Sequence, residues 1–277
     1  MTLLLDMLTT AAILYGVAAG LLIVFGVMKI INFAHGAFLT VGGYAALLVT
    51  AMGWNPWWSL PCAFVVGAVC GMAVERLVMR PLYSRPLDAI LATWGLGIVI
   101  GQCITLTLGR GVQFVQSPVT GAVALFGTTY SEYRLLLVPV VLCVVAALGW
   151  VLNGTRLGLM TRAVIMNEEL ARSLGINSAL VRFATFSVGA GLAGLAGALI
   201  TPLSSVDPNM GVPWLVSAFM IVMVSGVSLV SLGVACLVLG SAQVLVSSWA
   251  NPILGGLTIV VLAALVLRFR PEGFARG

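Results

Sequence analysis

Residues 9–31 read TTAAILYGVAAGLLIVFGVMKII, a run with no charge before Lys29. At about 1.5 Å per residue a helix of that length covers roughly 30 Å, the hydrocarbon thickness of a bilayer. Runs of the same kind recur near residues 33–52, 57–79, 89–108, 134–152, 183–203, 213–230, 232–248 and 253–268. In lipid a backbone must satisfy its own hydrogen bonds, so only helices or closed barrels cross it. Continuous apolar runs lack the alternation of a barrel strand. The fold class is therefore all-α: a polytopic transmembrane helical bundle of about eight to nine spans, with a broken or re-entrant helix near residues 29–43.

Composition agrees. Apolar residues make up 61% of the chain and charged residues 8%, against the roughly one quarter charged of a soluble domain. The first seven residues carry Asp6 and no basic residue, unlike the positive start of a secretory signal. Cys62, Cys70, Cys103, Cys143 and Cys236 stand singly in apolar stretches, and His35 is the only histidine. That pattern gives small buried hydrophobes rather than a disulfide framework or a metal site.

The net charge of +5 is not a nucleic-acid footprint, because the basic residues gather in short loops between spans. Lys29 follows the first span; Arg76, Arg80 and Arg85 follow the third. Arg156 to Arg182 follow the fifth, and Arg268, Arg270 and Arg276 the last. Of the thirteen basic residues only Arg110 and Arg134 fall elsewhere. The positive-inside bias then sets the N-terminus outside and the C-terminus in the cytoplasm, which requires an odd number of spans. Residues 109–132 form a turn-rich external loop and residues 155–182 a cytoplasmic segment. Trp54, Trp57 and Trp58 fit an external aromatic belt. The two halves resemble each other weakly, in a pattern that an inverted repeat would give.

Four segments carry chemistry. In GVMKIINFAHGAF (26–38), Lys29, Asn32 and His35 fall loosely on one helical face. A polar stripe in apolar sequence must face protein or a water-filled path; Asn32 and His35 either line a solute route or tie two helices together. Gly36 permits a break there. In RPLYSRPLD (80–88) two prolines stop a helix, and Thr93, Trp94 and Gln102 follow inside a span, lining a path or bonding across helices.

In TRAVIMNEELARSLGIN (161–177), Ile165, Leu170, Leu174 and Ile176 form an apolar side and Asn167, Glu168, Glu169 and Arg172 a polar one. This reads as one short amphipathic helix ending at Gly175, either resting on the membrane interface or docking into a groove of a partner protein. In GAGLAGLAGA (189–198), small residues at four-residue spacing allow close helix packing, within the chain or against another subunit.

Together these segments resemble the permeases of the branched-chain amino-acid ABC importer family, including its urea and short-amide branch, from about Gly26 to Gly273. KIINFAHG (29–36) is similar to that family's first-helix signature, residues 162–177 to its coupling loop, and RPEGF (270–274) to its C-terminal ending. Glu169, Ala171 and Gly175 fit the EAAxxxG pattern, with Leu170 in place of the middle Ala. VSGVSLVSLG (224–233) is poorer in Gly than the family's run at that place.

The resemblance implies a single permease domain over 1–277 in the bacterial inner membrane; within it the polar residues Asn32, His35, Thr93, Trp94 and Gln102 are the candidates for the substrate pathway. It implies Arg162, Asn167, Glu168, Glu169, Ala171, Leu174 and Gly175 as ATPase-coupling residues. The partners it implies are a second permease subunit, two ATP-binding cassette subunits and a periplasmic solute-binding protein, beside membrane lipid; no nucleic acid, cofactor or metal enters. The solute is a branched-chain amino acid or a relative such as urea. The chain has no GxxxxGK[ST] loop, so ATP hydrolysis falls to a separate subunit.

A passive channel for a small neutral solute would share the apolar spans and polar interior but would need no docking segment. An intramembrane enzyme would need clustered His, Asp or Glu within spans, which this chain lacks.

Overall fold

The structure is a computed structural model that describes residues 2–125, 128–270 and 273–274. Among them lie eleven helices: α1 (Thr2–Met28), α2 (His35–Ala51), α3 (Ser59–Val74), α4 (Pro86–Leu108), α5 (Glu132–Gly154), α6 (Arg156–Met166), α7 (Glu168–Ser173), α8 (Ser178–Ser204), α9 (Gly211–Ser225), α10 (Leu229–Trp249) and α11 (Pro252–Phe269). A 3-10 turn at Pro56–Trp58 leads into α3, and a π turn at Glu75–Met79 with a 3-10 turn at Arg80–Leu82 prolongs it.

Seven of these elements are long and apolar enough to cross a bilayer: α1, α3 with its turns, α4, α5, α8, α10 and α11. The runs at 33–52 and 213–230 give shorter helices, α2 of 17 residues and α9 of 15. At about 1.5 Å per residue each falls short of the roughly 30 Å core. The nine expected spans are thus seven full helices and two partial ones, each completed by an irregular linker.

Those linkers show how the chain folds back on itself. Both follow a helix of 27 residues, α1 and α8. Both open on a non-glycine residue in the left-handed region, Lys29 at φ 55° and Ser205 at φ 66°. Both run to the next helix after the same interval, at His35 and at Gly211. Irregular backbone at membrane depth must find polar partners. In the first linker Asn32 Oδ1 accepts the Ala34 N–H at 3.0 Å, and the Phe33 N–H donates to Thr93 Oγ1 at 3.2 Å. In the second, Asp207 Oδ1 accepts the Asn209 N–H at 2.8 Å, and Val206 exchanges backbone hydrogen bonds with Gln113.

α2 begins halfway along α1, since His35 Nε2 lies 3.0 Å from the Val17 carbonyl oxygen. α9 begins against it: the Gly211 N–H donates to Thr40 Oγ1 at 3.2 Å, and a Cβ on Gly211 would lie 1.9 Å from the Gly36 carbonyl oxygen. The two N-termini meet inside the bundle, and the helices run away toward opposite ends. α1 packs on α10 as α8 packs on α3. The halves are therefore an inverted repeat.

The core lies where α8 crosses α1, α2 and α3. Its stripe of small residues packs within the chain, with Gly189 on Gly20, Gly194 on Ala63 and Gly197 on Leu39. Outside the bundle one end carries an antiparallel hairpin, β1 (Ala122–Leu125) with β2 (Thr128–Ser131), an addition to the expected turn-rich loop. At this end Arg134 pairs with Asp6 at 2.8 Å, and Trp54, Trp57 and Trp58 are exposed. The opposite end carries α6 and α7, and Phe274 folds back there to donate its N–H to the Val224 carbonyl at 2.7 Å. In RPEGF, Pro271 and Glu272 lie outside the described residues, as does Arg276.

Candidate functional site

Midway through the bundle a polar cluster gathers on the first linker. Asn32 and His35 are buried, and Thr93 of α4 accepts from the Phe33 N–H while donating its own hydroxyl to the Ile90 carbonyl. Trp94 is exposed on the outer face of α4 and meets Phe33 edge-on at 5.5 Å, and the ring of Phe219 of α9 lies 6.3 Å from that of Phe33. Four of the pathway candidates, Asn32, His35, Thr93 and Trp94, are thus brought to one place.

Gln102 lies apart. It lines an open recess with Thr105, Arg110, Asp207, Pro208 and Asn209, at the end that carries the hairpin. The two sites share a helix face: Thr93, Gly97, Gly101 and Thr105 recur at four-residue spacing on α4. A Cβ on Gly97 would lie 3.8 Å from the Phe33 carbonyl oxygen, and one on Gly101 3.6 Å from that of Pro208. Among the described residues no group of three or more His, Cys, Asp or Glu could hold a metal ion.

At the other end, residues 161–177, expected as a single helix, are divided between two, α6 and α7. The break falls at Asn167, whose backbone is extended and whose Oδ1 accepts the Leu170 N–H at 3.0 Å, capping α7. α7 ends as its sequence suggests. Gly175 sits at φ 84°, its N–H donates to the Arg172 carbonyl, and the Ile176 N–H reaches back to Ala171, the paired bonds of a Schellman motif.

The apolar residues of this segment divide between two faces. Val164 and Ala171 turn inward onto Val27 and Val181, with Ile165 and Ile176 packed around them. Met166, Leu170 and Leu174 turn outward at 86%, 57% and 73% exposure. Arg162 is exposed and donates to Asn153 Oδ1 at 3.2 Å, and Glu169 is exposed.

Glu168, from the polar side of the segment, turns to ion pairs. One carboxylate oxygen takes Arg172 at 2.7 Å, and the other takes Arg182 of α8, only 15% exposed. The Arg182 guanidinium lies over the Tyr83 ring, 4.5 Å from its centre. The Tyr83 hydroxyl donates to Glu75, a buried carboxylate. Burial, and then the Glu75 carboxylate, push the Tyr83 hydroxyl well above the usual phenol range. Tyr83 therefore stays protonated and donates.

Residues 3–267 match the model of a family described as "Branched-chain amino acid transport system / permease component". The chain belongs to this family. The permease is 28% identical over 274 residues to the high-affinity branched-chain amino acid transport system permease protein LivH of Salmonella typhimurium, covering 93% of this chain and 89% of the relative. It is 26% identical to BraD of Pseudomonas aeruginosa, of the same description and with the same coverage. It is 27% identical to the ribose import permease protein RbsC of Haemophilus influenzae, over 72% of this chain and 61% of the relative. Among solved structures it resembles a chain of PsaBC from Streptococcus pneumoniae in complex with Fab at a TM-score of 0.55 and 13% identity, covering 98% of this chain and 93% of that one; this likeness concerns the fold alone.

Several residues of the permease's sites escape sequence reasoning. Met166 sits at four-residue spacing with Leu170 and Leu174, a signal the break at Asn167 disguises. Arg110 carries a visible signal, being one of two basic residues outside the basic loops. Arg134 has Asp6; Arg110 stands over the recess with Asp207. Glu75, Tyr83 and Arg182 come from three separate segments and carry no shared pattern.

Proposed function

We propose that this chain is the membrane permease of an ATP-binding-cassette importer that moves branched-chain amino acids, or a related small polar solute such as urea, across the bacterial inner membrane. Every described basic residue except Arg110 and Arg134 lies at the end that carries α6 and α7, so that end is cytoplasmic and the hairpin end is external. The observation that carries the reading is the outward apolar row Met166, Leu170 and Leu174, held on a segment whose other side is buried. An exposed apolar patch of this kind marks a contact surface, and here it fits a groove on a cytoplasmic ATPase subunit. Arg162, Asn167, Glu169, Ala171 and Gly175 shape that surface rather than form its centre.

The solute route runs from the external recess of Gln102, Arg110 and Asp207 down the Thr93–Thr105 face of α4 to Trp94, Asn32 and His35. A second permease subunit covers the exposed outer face of α4, and a binding protein delivers the solute at the external end.

The test is ATP hydrolysis by the complex of permease, ATPase and binding protein in proteoliposomes, with L-leucine and urea as probe solutes. Leu174→Asp places a charge at the centre of the contact, which interfaces tolerate poorly. It is expected to release the ATPase or abolish solute-stimulated hydrolysis, while Glu169→Gln retains most of both. Full stimulation and normal assembly in Leu174→Asp would remove the docking role.

A further inference from the structure

On the reading of this chain as an ATP-driven permease, we infer that Arg182, held between Glu168 and the Tyr83–Glu75 pair, is the positioning residue that passes movement of α7 into the bundle.

α7 is weakly anchored by apolar contact. Its one buried residue is Ala171, whose side chain is a single methyl group. The chain beyond it turns through Gly175 and reaches α8 within a few residues, a connection that fixes distance but not orientation. Orientation comes from two side-chain contacts with α8: Arg172 Nε donates to Ser178 Oγ at 2.7 Å, and Glu168, gripped on one side by Arg172 of its own helix, takes Arg182 on the other. The Arg172–Glu168 pair stays within α7, and the Glu168–Arg182 pair is the ion pair that crosses to α8.

Arg182 is itself fixed. Its guanidinium is stacked on Tyr83, and the negative face of an aromatic ring attracts a cation placed over it. Its Nε is buried without a hydrogen-bond partner among the described residues, so the stack and Glu168 together hold it. Tyr83 is fixed in turn by Glu75, 2% exposed at the start of the π turn. A buried carboxylate needs a donor, and Tyr83 supplies it. The order is an alternating one: Glu75 anion, Tyr83 hydroxyl and ring, Arg182 cation, Glu168 anion, Arg172 cation. In a site of low dielectric such a chain resists being pulled apart at any single joint.

Beyond Arg182, α8 has no slack to absorb a displacement. Its glycines bear directly on the backbones of α1, α2 and α3, and close-packed interiors transmit strain. A tilt of α7 imposed by a docked ATPase therefore moves α8 and the α3 turn together. α2, which opens with the polar cluster of Asn32 and His35, moves with them.

The experiment uses the same reconstituted complex, with L-leucine and urea as probe solutes. Arg182→Gln and Glu168→Gln remove the two charges of the crossing contact, and Tyr83→Phe keeps the ring but withdraws the hydroxyl. Arg182→Gln and Tyr83→Phe are expected to co-purify with the ATPase and to retain unstimulated hydrolysis, while in all three variants the solute-stimulated increment, taken relative to each variant's own unstimulated rate, falls at least fivefold. The Arg182→Gln, Glu168→Gln double variant is expected to be no worse than either single variant, because both cut the same joint. Arg182→Lys, which keeps the charge and loses the flat stack, should recover part of the increment.

Full stimulation in both single variants, or a double variant whose loss is the product of the two, would overturn the inference. Should Arg182→Gln fail to assemble, Glu168→Gln at the partly exposed side of the contact decides alone by the same increment. An unaltered complex that neither probe stimulates would instead overturn the reading of an ATP-driven importer on which the inference rests.

Discussion

A Cβ on Gly197 would lie 2.0 Å from the Leu39 carbonyl oxygen, and one on Gly42 2.0 Å from that of Gly194. Backbone cannot move aside as a flexible side chain can, so a methyl group at either place must separate α2 from α8. Overpacking of a well-filled core costs about 1–3 kcal/mol, and more where backbone is the obstacle. Gly256 of α11 is the contrast, with nothing within 4 Å of the added atom. Gly197→Val is expected to lower the thermal stability of the purified protein by at least that amount, while Gly256→Val leaves it nearly unchanged. Thermal unfolding in detergent reads both, and equal midpoints for the two variants would refute the packing assigned to Gly197. The small-residue stripe was legible as a packing face from its spacing alone. Its partners were not, because spacing says that helices approach closely and not which ones.

At the scale of elements, α7 depends on its two ends. Asn167 caps its start, and Gly175 ends it in the left-handed region. A residue with a Cβ in that region costs about 1–2 kcal/mol, a large fraction of what holds so short a helix. Gly175→Val should loosen α7 from its seat, raising amide exchange across residues 168–176 by roughly tenfold at 1.4 kcal/mol, with exchange in α8 unchanged. Unaltered exchange across α7 would mean that its own end does not hold it.

The end at Gly175 was readable because glycine after a helix has one common use. The break at Asn167 was hidden, because a continuous apolar-polar alternation runs through it and an N-cap within a helical pattern looks like one more polar residue. The linkers show the same limit. Gly36 suggested a break near His35, but the left-handed residue is Lys29, and Gly36 serves instead to admit Gly211. Pro86 begins α4 rather than stopping a helix, since proline is tolerated in a first turn.

At the scale of the molecule, the inverted repeat and the charge distribution support each other. One half begins at the hairpin end and the other at the end bearing α6 and α7, with the two partial helices meeting between them. The all-α bundle was legible from apolar run length and low charge. The lengths of α2 and α9 were not, because linker residues such as Phe33, Ala34 and Val227 are as apolar as helix residues and extend the run without extending the helix.

Whether the apolar row on α6 and α7 can meet an ATPase depends on the side of the membrane it occupies. In a background without the native cysteines, an impermeant maleimide added to intact cells should label Thr120→Cys, in the connection before the hairpin, and spare Ser173→Cys on α7. In inverted vesicles stripped of the ATPase, Ser173→Cys should react and Thr120→Cys should not. Labelling of Ser173→Cys from outside intact cells, with Thr120→Cys protected, would contradict the cytoplasmic docking surface on which the account rests.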